Sequence, residues 1–102
     1  MIKLIEDKIP ELIALCKTHR VESFAIFGSA VKDAMHEDSD LDFLVQFSEE
    51  IDVLDYVDNY FEFLKQLETL TGKKVDLVSK KSLKNPILIS EIERSKIELY
   101  AA

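Results

Sequence analysis

Val21-Glu22-Ser23-Phe24-Ala25-Ile26-Phe27-Gly28-Ser29, followed ten residues later by Asp40-Leu41-Asp42-Phe43-Leu44-Val45-Gln46, decides the fold. β-Branched and aromatic residues fill the first run, and Gly28 ends it with a residue that tolerates any backbone angle, so a strand is expected there. In the second run Leu41, Phe43 and Val45 alternate with Asp40, Asp42, Leu44 and Gln46. That period of two predicts a second strand with one apolar face and one face that begins acidic. Residues 30–35 predict a short helical turn between the strands, and 36–39 a polar loop.

Outward from this pair, Ile5, Ile9, Leu12, Ile13 and Cys16 recur at helical spacing and predict one amphipathic helix ending near His19. Pro10 lies within it, as a first-turn residue or a kink. Downstream, Leu54, Val57, Phe61, Leu64 and Leu67 predict the packed face of the longest helix, over 52–70, which Gly72 ends. Residues 74–78 read as a third strand, and Pro86 as a first-turn residue of a last helix ending near Arg94. An edge strand is expected over 97–100. The alternation implies an α/β or α+β fold: a small mixed sheet with helices packed on it.

The 102 residues, 47% of them hydrophobic, suffice for one core, so residues 1–102 are expected to form a single domain. A net charge of -7 argues against a grip on long nucleic acid. Cys16 is the only cysteine, which rules out a disulfide framework or zinc cluster, and its apolar neighbours predict a buried thiol. The N-terminus alternates charged and apolar residues like neither a signal peptide nor a membrane span, so no membrane partner and a cytoplasmic location are expected.

The chemistry lies in the acids. Residues two apart on a strand project from the same face about 7 Å apart, so Asp40 and Asp42 can aim both carboxylates at one point. Two metal ions about 3.5 to 4 Å apart fit such a pair. Without cations the two would repel, and burial beside a sheet would raise at least one pKa. Asp76 is the third candidate, the one acid in the apolar run of the third strand. Three carboxylates with phosphate oxygens form a hard-oxygen site suited to Mg2+ or Mn2+. Gly28 leaves its amide open to a phosphate, and the Ser29 hydroxyl can donate another hydrogen bond. Ser39, directly before the acids, completes the candidate nucleotide-binding set.

The pattern Gly28-Ser29, ten residues, Asp40-x-Asp42, then a lone Asp76 on a later strand resembles the DNA polymerase β-like nucleotidyltransferase superfamily. The short chain is similar to the minimal nucleotidyltransferases, stand-alone relatives of the kanamycin nucleotidyltransferase catalytic domain that are often encoded beside an HEPN-domain protein in toxin–antitoxin pairs. The resemblance implies Gly28 and Ser29 at the triphosphate, Asp40 and Asp42 shared by two metal ions, and Asp76 on the catalytic ion near the attacking hydroxyl. It further implies that AMP moves from ATP to a tyrosine of a partner HEPN toxin, the chain acting as antitoxin. Many relatives carry Arg directly after the Gly-Ser pair and Gly three residues later, where this chain has Ala30 and Asp33, leaving Lys32 as a partial substitute. Two other functions stay open: a binding module that silences its partner by contact with a vestigial nucleotide site, and transfer to a small molecule such as an aminoglycoside. The last requires dimerisation, and a homo-oligomer is compatible with the sequence.

The remaining polar residues read as surface. His19 and His36 are expected in solvent, and Asp52, Asp55 and Asp58 on the wet side of the long helix. Lys80, Lys81 and Lys84 form a basic loop close in sequence to Asp76. Tyr56, Tyr60, Phe61 and Phe63 exceed what one narrow stripe can bury, which favours a protein interface.

Overall fold

In the computed structural model, residues 2–31 and 40–102 are described. Four strands form one mixed sheet in the order β3-β2-β1-β4. β1 (Val21–Phe27) pairs antiparallel with both β2 (Leu41–Phe47) and β4 (Ile97–Ala101), and β2 pairs parallel with β3 (Val75–Ser79). The three strands read from the sequence and the expected edge strand are all present. β4 takes the edge beside β1, which leaves β3 as the opposite edge.

The first helix differs from expectation. It is two helices, α1 (Lys3–Glu6) and α2 (Ile9–Thr18). Pro10 lacks an N–H, and in a continuous helix its ring would clash with the carbonyl of Glu6, so the chain turns at Asp7 and restarts with Pro10 in the first turn. The long helix α3 (Val53–Thr71) is capped by the Asp52 side chain, which accepts from the Leu54 amide, and ends at Gly72 with φ +70°. The Asn85 side chain accepts from the Ile87 and Leu88 amides at the start of α4 (Pro86–Ser95), with Pro86 in the first turn.

The strand alternation divides the core between the two faces of the sheet. Phe24, Ile26, Leu41, Phe43, Val45 and Phe47 face α2 and α3, where Leu12, Cys16, Phe63 and Leu67 cover them. Phe24 stacks on Phe43 with ring centroids 4.7 Å apart, and Phe63 meets Phe24 edge-on. On the other face Ala25, Leu44 and Ile92 form a smaller cluster, joined by Phe27, Val78 and Leu83, and this is where α4 packs. Asp42 has the parity of Leu44 and Asp76 that of Val78, so the acids belong to the thinly covered α4 side.

Two further readings are corrected. The buried face of α3 is Phe63, Leu67 and Thr71, with Tyr56, Tyr60 and Leu64 half-buried, whereas Leu54, Val57 and Phe61 of the expected stripe are exposed. His19 is buried rather than solvated. It ends α2, its Nδ1 lies 2.8 Å from the Leu15 carbonyl oxygen and its ring packs on Phe63 with centroids 5.4 Å apart. Among the described residues its Nε2 has no hydrogen-bond partner, and it stands 3.7 Å from the Glu62 carboxylate. Cys16 is buried, as its neighbours imply, while Asp52, Asp55, Asp58, Lys80, Lys81 and Lys84 are exposed. Among the described residues no helix is long and apolar enough to cross a membrane.

Candidate active site

β1 ends where the site begins. Phe27 is followed by a 3-10 turn, Gly28–Ala30, and of the helical turn expected over 30–35 only the first two residues are described. Ser39 and Lys32, the rest of that expected turn, and the 36–39 loop with His36 lie outside the described residues. Gly28 holds φ at +77°, a conformation L side chains rarely adopt, and a Cβ there would collide with Oδ2 of Asp42 and lie 3.3 Å from its Cγ. The turn and the acid are therefore one packed unit, brought together by the register Phe27↔Asp42. Among the described residues no side chain caps the start of the turn.

Across the parallel β2–β3 pair, Asp42 is the register partner of Asp76, and Asp40 lies two residues before Asp42 at the mouth of the same strand. The pairing continues toward Asp40 through the Leu41 amide, which donates to the Lys74 carbonyl at 3.0 Å. Adjacent strands lie about 4.8 Å apart, so Asp42 and Asp76 are side-by-side neighbours on one face. Burial raises the pKa of Asp42 above the ordinary carboxylate range, and the charges of Asp76 and then Asp40 add to the rise. No donor or cation among the described residues satisfies the Asp42 carboxylate.

β3 is an edge strand, and α3 holds it in place. The Tyr60 hydroxyl donates to the Leu77 carbonyl, the residue after Asp76. The Val75 amide, on the residue before Asp76, donates to the Glu68 carboxylate at 3.0 Å. The Tyr56 and Ser79 hydroxyls are 3.2 Å apart. These α3 side chains satisfy backbone groups that an open edge would leave to solvent, and they fix the residues on both sides of Asp76. Burial raises the Tyr60 pKa, and the nearby Asp76 charge raises it further. Sequence reasoning did not give Tyr60 or Glu68 this role. Their spacing of eight, two turns of one helix face, is the available signal, but nothing local says which strand that face meets.

The donor set suits a hard divalent cation. A half-buried carboxylate with its pKa raised by burial and then by two acidic neighbours, and with no counter-charge among the described residues, is stabilised when a metal ion enters. Among the described residues no group of three His, Cys, Asp or Glu side chains is placed to hold a metal ion, so the register brings Asp42 beside Asp76 without gathering Asp40, Asp42 and Asp76 into the ligand set expected from the sequence.

Neighbouring carboxylates against a glycine turn on a mixed sheet are the arrangement expected of a nucleotidyltransferase, and comparison with known proteins shows that family. The family model for polymerase beta nucleotidyltransferases matches residues 10–102, and the chain belongs to that family. A relative from Methanocaldococcus jannaschii, provisionally named a protein adenylyltransferase, is 38% identical over 95 residues, covering 93% of this chain and 83% of the relative. A solved structure, provisionally described as a minimal nucleotidyltransferase, superposes with a TM-score of 0.77 at 32% identity, covering 94% of this chain and 95% of the other. The fold also matches a chain of the complex between a tri-AMPylated Shewanella oneidensis HEPN toxin and its MNT antitoxin. That match has a TM-score of 0.65 at 18% identity and covers 95% of this chain and 72% of the other.

Proposed function

We propose that the chain transfers AMP from ATP to a hydroxyl of a partner protein, a tyrosine of an HEPN-domain toxin, and thereby acts as its antitoxin. The observation that carries the proposal is the register of Asp42 with Asp76 beside the Gly28 turn. The adenylyltransferase name of a 38% identical relative and the AMPylated HEPN toxin in the matched complex support the choice of nucleotide and acceptor.

Asp40, Asp42 and Asp76 would hold two Mg2+ or Mn2+ ions, which, when bound, neutralise phosphate charge and favour ionisation of the acceptor hydroxyl. The Gly28 amide and the Ser29 hydroxyl donate to the phosphates, and Ser39 belongs to the same nucleotide-binding set. Asp76 orients the acceptor hydroxyl and takes its proton. The acceptor oxygen bonds to the α-phosphorus, the bond from that phosphorus to the bridging oxygen breaks, and pyrophosphate leaves. The thin cover over this sheet face gives a protein-borne hydroxyl room to approach.

Incubation with labelled ATP, magnesium and a co-encoded HEPN-domain protein tests the reading. Label should reach the partner and disappear with Asp40→Asn or Asp42→Asn, and a partner left unlabelled under these conditions rejects the proposal. The exposed residues Leu54, Val57 and Phe61 favour a second reading, silencing by contact. That reading predicts an Asp42→Asn variant that binds and silences the partner as well as the wild type.

A further inference from the structure

We infer that Arg94 holds the phosphate chain of the bound nucleoside triphosphate, from the wall of a cavity between α4 and the Gly28 turn. The inference rests on the nucleotide-transfer reading of the same site and names the cation that meets the polyanion there. The cavity, about 400 Å³, is bounded by Phe27 and Gly28 on one side and by Leu88, Glu91, Ile92 and Arg94 of α4 on the other. It lies on the sheet face of the acids, because Phe27 is the register partner of Asp42 and packs against the cluster that contains Ile92, and none of the three acids is among its lining residues.

The chain path fixes the placement of Arg94. Ile26 pairs with Ile97, so the junction between α4 and β4 runs beside the end of β1, and Arg94 sits three residues before it. Glycine on one wall gives close backbone approach, and the guanidinium on the other gives charge.

A triphosphate brings about four negative charges to a face that already carries three carboxylates, more than two divalent ions would neutralise, so a protein cation near the phosphates lowers the remaining repulsion. Among the described residues that line the cavity, Arg94 is the one basic residue. Ala30, the residue after Ser29, is buried and uncharged. Other polar groups at this end of α4 are engaged: Lys96 pairs with Glu93 at 3.0 Å, and the Ser95 hydroxyl donates to the Glu91 carbonyl. Arg94 is exposed and makes no ion pair or hydrogen bond among the described residues, not even with Glu91 on the same wall. Its planar fork matches two phosphate oxygens, whereas the nucleoside half offers it no charge.

Calorimetric titration of a non-hydrolysable ATP analogue and of AMP, both with magnesium, tests the assignment on wild type, Arg94→Ala and Arg94→Lys. The Arg94→Ala variant should bind the analogue about 10- to 100-fold more weakly and AMP unchanged, with Arg94→Lys recovering part of the loss. Melting curves check that the variants fold. Unchanged binding of the analogue by folded Arg94→Ala, or an equal loss for AMP, overturns the inference alone. Absence of analogue binding by the wild type overturns it together with the nucleotide-transfer reading.

Discussion

Gly28 leaves no space for a Cβ beside the Asp42 carboxylate, and the same glycine occupies a left-handed conformation at φ +77°. Gly28→Ala therefore meets two penalties, backbone strain and a collision with a charged group, together about 2 to 3 kcal/mol of stability. Denaturant titration in two backgrounds separates them. In an Asp42→Ala chain the collision disappears and the cost should fall to about 1 kcal/mol of strain. Equal costs in both backgrounds would show that the contact with Asp42 does not govern the choice of glycine.

Asp42 illustrates a conflict between stability and site chemistry. Its folded-state pKa is raised, first by burial and then by Asp76 and Asp40, so the folded chain holds a proton there that the unfolded chain releases. That contribution is favourable at pH below the ordinary carboxylate value and is lost as pH rises through the raised value. At neutral pH without divalent cations the ionised side chain is thus a destabilising element. Asp42→Asn should raise the melting temperature in chelator by a few degrees while abolishing transfer. A lower melting temperature under those conditions would contradict the electrostatic account.

The strands, the glycine stop and the alternating acids of β2 were legible because each is written in adjacent residues. Periods of two, a φ > 0 position and the Asp-x-Asp spacing need no knowledge of the rest of the chain. What was not legible depended on distant partners. On α3, Leu54-Val57-Phe61 and Tyr56-Tyr60-Phe63 both repeat at helical spacing, and only the sheet beneath decides that the second set packs inward, with Phe63 buried and the two tyrosines half-buried. His19 sits at a helix end that looks wet in sequence, yet Phe63, 44 residues later, closes over it. Asp76 could be named as a lone acid in a strand, but its register opposite Asp42 follows from the parallel β2–β3 pairing, which local pattern does not encode. The α3 hydroxyl and carboxylate that fix β3 were hidden for the same reason.

Tyr60 supplies a direct test of that fixing role. Tyr60→Phe keeps the ring against Phe47 but removes the donor to the Leu77 carbonyl. The variant should lose about 1 kcal/mol of stability. The β3 amides should also exchange with solvent faster, because the strand beside Asp76 is less firmly held. Nucleotide transfer should fall with the exchange protection. Unchanged exchange along β3 in this variant would remove Tyr60 from the positioning of the site.

Arg20 is the one non-glycine residue with positive φ among the described residues, at +58°, directly after the end of α2. The left-handed position just past a helix is where glycine is best tolerated, and its backbone carbonyl still has to accept from the Ser48 amide at 2.9 Å. Glycine preserves that bond and removes the Cβ penalty. Arg20→Gly should stabilise the fold by about 0.5 to 1 kcal/mol despite the freer unfolded chain. A destabilised variant would mean that the arginine side chain contributes more than its exposed position suggests.

Cys16 sets an alkaline limit on the fold. The thiol is buried under the sheet, and loss of solvation pushes its pKa from 9.0 up to about 12. Between those values the folded chain keeps the proton and the unfolded chain gives it up, so the stabilising contribution is complete below pH 9.0 and is lost as pH rises toward 12. The slope from one such group reaches about 1.4 kcal/mol per pH unit. Tyr60, whose pKa is also raised, titrates in the same alkaline range, so the share of Cys16 has to be isolated by substitution. Cys16→Ala should cost about 1 to 2 kcal/mol at pH 7 through the cavity it leaves, yet flatten the fall in urea-denaturation free energy between pH 9 and 11. In the wild type, a thiol reagent at pH 8 should react only as fast as the chain opens. An unaltered alkaline slope in Cys16→Ala, or rapid labelling of the native protein, would show that the thiol is not held protonated by burial.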